Sequence, residues 1–447
     1  MNRRFFALLL SVIYAFLGSS SFGEEERKPN VILIFTDDQG TLDAGCYGAD
    51  DLETPALDGI AARGVRFTQF YAASAICSAS RAGLLTGRTP VTAGVPGNVG
   101  LTAEGLPSSE VTIAEALKEA GYKTAHIGKW HLGNHEGTVP NGQGFDYSFG
   151  HHVGCIDNYS HFFYWSGPNK HDLFRNNEEV HYPGEFFPDM MVAESIAFME
   201  KNKDDPFFIY FALNLPHYPY QGDQKWLNRY KDLPYPRNLY NAFMSTMDNR
   251  IGQLLDSLDQ LGLTEDTIVI FQSDHGHSTE ERAHFGGGYC GPYRGAKASL
   301  YEGGIRVPAL ISWPGNLPEG VVREQMAVSC DWFPTILDLC GVTMPELDRP
   351  IDGKSLLRVI ESEEAPTEHA FFHWYLNKQW AVREGNWKLC RDIRDTTDGR
   401  TKTIVKGTQL FDLASDPSES TDISADHPEV VERMEAMRAQ WAATWEQ

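Results

Sequence analysis

Four short stretches of this chain carry residues able to do chemistry, and each follows an apolar run. Asp37 and Asp38 come after Asn30–Phe35 (NVILIF), and Lys129 and His131 after Thr124–Ile127. His217 comes after Phe207–Leu213, and Asp274 and His275 after Thr267–Phe271. Continuous apolar runs with β-branched residues read as strands buried on both faces, hence as parallel strands. In a parallel α/β sheet, ligands bind beyond the carboxyl ends of the strands. One carboxylate after a strand is more often a helix cap; four deliveries to one edge argue for a site. Asp37, Asp38 and Asp274 would put three acidic groups together, which cannot stay uncompensated. A hard divalent cation is the simple remedy, and oxygen donors suit Ca²⁺ or Mg²⁺. His275 is a poor ligand for such an ion. It is a marginal ligand, a group behind the ligands, or the mark of a softer metal.

Cys77 sits among small residues, AICSASRAGLLTGR, with a helix expected to begin just after it and Arg81 one turn on. A helix N-terminus favours an anion and so a thiolate. A structural cysteine in a small-residue turn explains the composition equally well. The other cysteines are Cys46, Cys155, Cys290, Cys330, Cys340 and Cys390, without CxxC or zinc spacing. They read as mostly buried free thiols, and the odd total of seven leaves at least one unpaired.

The elements that would position these groups alternate. A further strand is expected at Val307–Ser312, and helices at Thr112–Ala120, Met190–Asn202, Leu239–Leu261 and Phe333–Leu339. Strands alternating with helices give an α/β fold with a large, mostly parallel sheet flanked by helices. After about residue 350 the pattern changes to short antiparallel strands at Phe371–Trp374, Trp380–Arg383 and Lys388–Cys390, a polar insertion at Asp392–Arg400 and a helix at Glu429–Trp445. That predicts a catalytic domain over 24–350 and a smaller C-terminal α+β domain over 351–447. Tyr147–Pro188 is aromatic, His-rich and without periodicity, so it reads as a long functional loop.

The chain has 447 residues, 42% hydrophobic and 22% charged, which are globular proportions. Lys plus Arg total 38 against 61 Asp plus Glu, a net charge of −23. So acidic a chain repels nucleic acid and anionic lipid at long range, and neither is expected as a partner. An anionic substrate would need a locally positive pocket. Arg3 and Arg4, the apolar run Phe5–Leu17 and the small residues Gly18–Ser21 read as a secretory signal cut near Gly23. The expectation is a periplasmic or secreted protein with no membrane span once the signal is removed.

Longer motifs narrow the reading. CSASRAGLLTGR (Cys77–Arg88) resembles the sulfatase signature C-x-[PA]-x-R followed by LTGR, and GYKTAHIGKWHLG (Gly121–Gly133) resembles the second sulfatase signature. PNVILIFTDDQG, LPHYPY, TMDNRIGQLLDSL, FQSDHG, RGAKASLYEGGIRVP, AVREGNWKL and QLFDLASDPSE agree with it. Two long motifs in order are specific. The chain resembles type I, formylglycine-dependent sulfatases of the alkaline phosphatase superfamily from about Asn30 to about Asp422, and in particular bacterial secreted carbohydrate sulfatases.

That resemblance implies roles. Cys77 would be oxidised by a separate formylglycine-generating or anaerobic maturation enzyme to Cα-formylglycine, whose hydrate attacks sulfur and later expels sulfate. Asp37, Asp38, Asp274 and His275, with the modified Cys77, would hold one Ca²⁺. Arg81 and Lys129 would fix the hydrate, and His131 would handle its proton. His217 would be the general acid, and Lys297 would bind a sulfate oxygen beside it. The substrate would be a sulfate ester, with a sulfated saccharide expected. Ala79 stands where many members have Pro, and His275 where many have Asn.

Two other readings compete. Phosphate or phosphonate ester hydrolysis on the same scaffold is kept alive by SDHG with His277 and His284, and would call for two zinc or manganese ions. The other is a non-catalytic binding protein. Glu302 and Arg306 read as a structural ion pair. His151, His152 and His161 read, one by one, as exposed loop histidines beside Asp157, and Tyr164 and Trp165 as packing or sugar-stacking rings. Position 77 must lie close to the Asp37, Asp38 and Asp274 carboxylates and within reach of solvent for the leading reading to hold.

Overall fold

The computed structural model of the chain describes residues 27–445, apart from 168 and 402. The expected export segment lies outside those residues. Four parallel strands make the middle of a ten-stranded sheet, in the spatial order Thr267–Ser273, Asn30–Thr36, Phe207–Ala212, Lys123–Lys129. The registers are direct: Val31 opposes Ile268 on one side and Phe208 on the other. Alternate side chains of Asn30–Thr36 feed two cores. Val31, Leu33 and Phe35 pack with Trp332 and Phe333, whereas Ile32 and Ile34 pack with Phe243, Met244 and Met247. Helices cover both faces, so both sets of side chains are buried and no polar alternation survives in the sequence. Helices form at Ile113–Glu119, Phe187–Asn202, Arg237–Leu261 and Trp332–Leu339, the first opened by a Thr112/Glu115 capping box.

Three expectations need correction. The strand at Ala309–Ser312 runs antiparallel to Thr267–Ser273; burial on both faces does not by itself fix strand direction. The Tyr147–Pro188 segment is not all loop. Tyr147–His151 adds a parallel strand beside Lys123–Lys129, and Phe174–Arg175 and Glu178–Glu179 extend the sheet. Strands of two residues are too short to print a period. His151, His152 and His161 are buried, at 0%, 7% and 0% exposure, rather than exposed. The added strand carries the first two inside, and Phe187 packs against both His151 and His161.

The C-terminal part is a four-stranded antiparallel sheet, Phe371–Leu376, Gln379–Glu384, Trp387–Asp395 and Thr403–Asp412, closed by the helix Pro428–Ala442. The polar stretch at Asp392–Arg400 is the end of one hairpin strand and its turn. All seven cysteines are free, with Cys46 and Cys290 only partly buried. Among the described residues no helix is long and apolar enough to cross a membrane.

Candidate active site

Every strand of the central four ends at the same edge, and the chemistry gathers there. Thr36 leads into Asp37 and Asp38, Ser273 into Asp274 and His275, and Lys129 closes its own strand. Gly128 makes that last delivery possible. Its φ is +119°, and a Cβ there would sit 2.0 Å from the Ala212 carbonyl oxygen of the next strand. Cys77 is the first residue of the helix Cys77–Thr86, reached from extended Ile76. Its neighbours are small because the helix is pressed into the core: a Cβ on Gly83 would lie 2.4 Å from Ala73 Cβ.

The ten residues expected at the site converge. Cys77 Sγ is 3.3 Å from His275 Nε2 and 3.6 Å from Asp37 Oδ1. Asp274 Oδ1 accepts from the Asp38 backbone at 3.1 Å and lies 3.5 Å from His275 Nε2. Lys129 Nζ donates to Asp37 Oδ2 at 2.6 Å, and Arg81 Nη2 to Asp274 Oδ2 at 3.4 Å. Lys297 Nζ stands 2.9 Å from Asp38 Oδ1. His217 Nε2 is 3.7 Å from Asp38 Oδ2. His131 completes the ring beside Cys77, close enough that the thiol bears on its protonation. Asp38 and His131 hold left-handed backbones, φ +65° and +59°. Non-glycine residues in that region store strain on the order of 1–3 kcal/mol each, commonly where a site needs the side chain aimed.

The thiol lies at the floor of this ring. Cys77 is 2% exposed, and solvent approaches past His217, His131 and Lys297, at 5%, 6% and 9%. The expected reach to solvent is therefore narrow, because the surrounding side chains close over the helix start.

Burial and neighbouring charge shift Cys77, Asp37, Asp274, His275 and His131. Burial pushes the Cys77 thiol up, but Lys129 and Lys297 outweigh it and hold it well below the usual thiol range. Burial likewise opposes ionisation of Asp37, and Lys129, His217 and Arg81 prevail to keep it ionised. Asp274 goes the other way, raised by burial and by its neighbours Asp37 and Cys77. Burial lowers His275, yet Asp274 and Cys77 lift it to about 9. Burial and the nearby Lys129 hold His131 down at about 4. The acidic half of the ring thus attracts positive charge, and the basic half attracts an anion.

The donor set fits a divalent cation. One ligand atom each from Asp37, Asp38, Cys77 and His275 lie within 4.8 Å of one another. Asp38 Oδ1 is buried with Lys297 Nζ 2.9 Å away, and a carboxylate oxygen keeps a further lone pair for a cation. The Gly276 carbonyl, an acceptor only, lies 2.9 Å from His275 Nδ1, so Nδ1 donates there and Nε2, facing Cys77, is the nitrogen that would give up its proton to take a cation. His277 and His284 are not part of that group; His277 lies against Gly288, and His284 packs on Tyr235 and Tyr220.

Comparisons with known proteins give the family. The profile of the family described as Sulfatase matches residues 29–342, and that described as N-sulphoglucosamine sulphohydrolase, C-terminal, matches 295–445. The chain belongs to the sulfatase family. Human arylsulfatase A is 34% identical over 452 residues, covering 92% of this chain and 87% of its own. Human N-acetylgalactosamine-6-sulfatase is 32% identical over 454 residues, covering 91% and 84%. The solved structure of Ps i-CgsB in complex with k-i-k-neocarrahexaose has a TM-score of 0.83, 28% identity and 93% coverage of both chains. This sulfatase is accordingly a sulfuric ester hydrolase with an α/β catalytic sheet and an antiparallel C-terminal sheet.

Residues outside the motifs also touch the site. Glu280 lies 3.6 Å from Lys297 Nζ and accepts from Tyr218 Oη at 3.0 Å. Tyr210 Oη is 3.4 Å from Arg81 Nη1, and Tyr164 Oη is 3.4 Å from His217 Nδ1. Only Tyr164 was marked in the sequence; Glu280 and Tyr210 carry no signal that separates them from a surface acid and a core ring. Glu302 is structural as expected, 3.4 Å from Arg306 and 2.9 Å from Lys388.

Proposed function

We propose that this sulfatase hydrolyses sulfate esters of an extracytoplasmic saccharide, using the hydrate of a formylglycine made from Cys77 and one Ca²⁺ held by Asp37, Asp38, Asp274 and His275. The observation that carries the reading is the position of Cys77, first in its helix, 3.6 Å from the Asp37 carboxylate and 3.3 Å from the His275 ring, with two buried lysines acting on it. Converted, that side chain would supply the nucleophile and the exit for sulfate, and the ion would draw charge from the sulfate oxygens.

The chain's own groups divide the remaining work. Lys129 and Arg81 hold the ring's acidic half and offset its charge. Lys297 sits on the open side and is the group placed to bind a sulfate oxygen. The Tyr218 carbonyl lies 2.8 Å from His217 Nδ1 and can only accept, so Nδ1 carries a proton and Nε2 is the face turned to the pocket. A proton on Nε2 is the one to give to the leaving alcohol oxygen. His131 is neutral at ordinary pH, so it can take the hydrate's proton and let the aldehyde re-form.

The saccharide assignment draws on the carbohydrate bound in the Ps i-CgsB complex and on Trp165, 44% exposed beside Tyr164. An aromatic face there suits a sugar ring. Periplasmic or secreted location follows from the expected signal. At 2% exposure Cys77 is out of reach of a separate maturation enzyme, so conversion must precede closure of the pocket.

Sulfate release from defined sulfated saccharides tests substrate and chemistry together. Mass spectrometry of the active protein should find –CHO in place of –CH₂SH at position 77, and Cys77→Ala should lose activity by at least about 10³-fold while still folding. An active enzyme with an unmodified thiol overturns the mechanism. Activity confined to phosphate or phosphonate esters overturns the function.

A further inference from the structure

The Tyr147–Pro188 segment builds two hairpins outside the catalytic ring. Phe162–Phe163 pairs with Lys170–His171, and Phe174–Arg175 pairs with Glu178–Glu179. The second hairpin turns at Asn176, φ +54°, and returns Glu179 to His171, with Oε1 2.9 Å from Nδ1. His181 then stacks on His171, the ring centroids 4.2 Å apart and the planes 30° from parallel. One ligand atom from each of His171, Glu179 and His181 lies within 4.8 Å of the others.

An ion pair between His171 and Glu179 needs one imidazole, and here a second is brought up to the same carboxylate. Two imidazoles and one carboxylate suit a borderline ion such as Zn²⁺ rather than Ca²⁺. A tetrahedral Zn²⁺ with ligands at about 2.0–2.2 Å needs its donors roughly 3.4 Å apart, so the His171–Glu179 pair at 2.9 Å has to open by about half an ångström and His181 has to come into range. The trio can do both. His171 is the fixed member, 9% exposed and held edge-on by Phe162 at 5.3 Å and His161 at 6.1 Å. Glu179 and His181 are exposed and already lie against it, so small side-chain rotations bring the three donors onto one ion. Hairpin pairing already sets the backbone of two of the three, which lowers the ordering cost of binding.

We propose that His171, Glu179 and His181 form a second metal site that takes one Zn²⁺ or similar borderline divalent ion, with an exchangeable water in the fourth position. The proposal is independent of the catalytic reading. It does touch the same scaffold: Asp172, next to His171, accepts from the His152 and Val153 backbones at 2.9 Å each, and His131 donates to the His152 carbonyl at 3.1 Å.

The test compares tag-free full-length protein with His181→Ala, both kept in excess Ca²⁺. Zinc is titrated by calorimetry and counted after dialysis by elemental analysis. Any zinc entering the catalytic ring is common to both proteins, so the difference reads the hairpin site alone. The wild type is expected to hold one more equivalent than His181→Ala. Co²⁺ should give the visible bands of a low-coordinate site in the wild type and not in the variant. His181 is exposed, so the variant should fold, and an unchanged melting temperature without metal checks that. Equal zinc stoichiometry in the two proteins overturns the proposal.

Discussion

Among the described residues, two of the clusters of buried charge are built to opposite ends. The catalytic ring gathers Asp37, Asp38, Asp274, Cys77, Arg81, Lys129 and Lys297. The second lies where the helix start at Glu302 meets the C-terminal sheet. There Lys388 stands 2.9 Å from Glu302 and 2.8 Å from Glu419, all three at 0% side-chain exposure. Tyr71 Oη donates to Glu302 at 2.6 Å, and the Glu302 backbone donates to Glu419 at 2.6 Å. Most contacts in this knot are short, with Arg306 the longer one at 3.4 Å from Glu302. In the ring, tight Lys–Asp pairs coexist with loose ones: 3.4 Å for Arg81–Asp274, 3.5 Å for His275–Asp274 and 3.7 Å for His217–Asp38. Buried groups held at the long end of hydrogen-bond reach or just past it are what a pocket for an ion and an anion requires. Closed contacts are what a seam between two sheets requires. Buried charge alone does not distinguish function from structure; the slack between the charges does.

Removing a cation from each cluster should therefore fail differently. Lys129→Met leaves Asp37 with His217, Arg81 and Lys297 as cationic neighbours. Its expected cost falls on kcat, on the order of 10²–10³-fold, as for loss of one preorganised electrostatic group. Lys388→Met leaves Glu419 with no counter-charge of its own and beside Glu302. Stripping one partner from a buried pair costs about 3–5 kcal/mol, read by denaturant unfolding, with kcat per folded molecule unchanged. Lys388→Met combined with Glu419→Gln should recover most of that stability. If the Lys388 variant instead keeps its stability and loses turnover, the contrast between the clusters collapses.

Metal removal sharpens the contrast further. A ligand that binds only the folded state stabilises it by mass action. Chelation should abolish turnover and lower the melting temperature, and Ca²⁺ should restore both. In Asp38→Asn the Ca²⁺-dependent rise should shrink, whereas in Lys388→Met it should keep its full size. A rise of the same size in Asp38→Asn would place the ion elsewhere.

What the sequence revealed followed from burial and order along the chain. The four strands were legible because both faces of Asn30–Thr36 and its neighbours are apolar. The ring was legible because each strand ends in a titratable residue, and Lys297 and the roles came through motif resemblance. Strand direction at Ala309–Ser312 was not, since direction depends on the connection rather than on the run. The hairpins of the Tyr147–Pro188 segment were not, since two residues carry no period. Glu280 was not, because a glutamate in a polar stretch becomes a partner of Lys297 only when folding brings the two to 3.6 Å.

The smallest effect belongs to a titratable group outside both clusters. His373 is 4% exposed, neither ring nitrogen has a hydrogen-bond partner, and the ring stacks on Trp441 with centroids 4.9 Å apart. Burial first, and then the Arg438 charge, lower it to about 4 from 6.5. The unfolded chain thus binds a proton at this position between those two values while the folded chain does not. Stability rises with pH where the unfolded state holds more protons. His373 therefore adds to the loss of stability as pH falls from about 6.5 toward 4, and contributes nothing to pH dependence above that window. His373→Phe keeps a flat ring against Trp441 and removes the proton. Denaturant midpoints across the window should fall less steeply in the variant and match the wild-type slope above it. An unchanged slope below pH 6.5 would mean that the ring takes up its proton without leaving the stack, and that burial at the C-terminal sheet is looser than in either charged cluster.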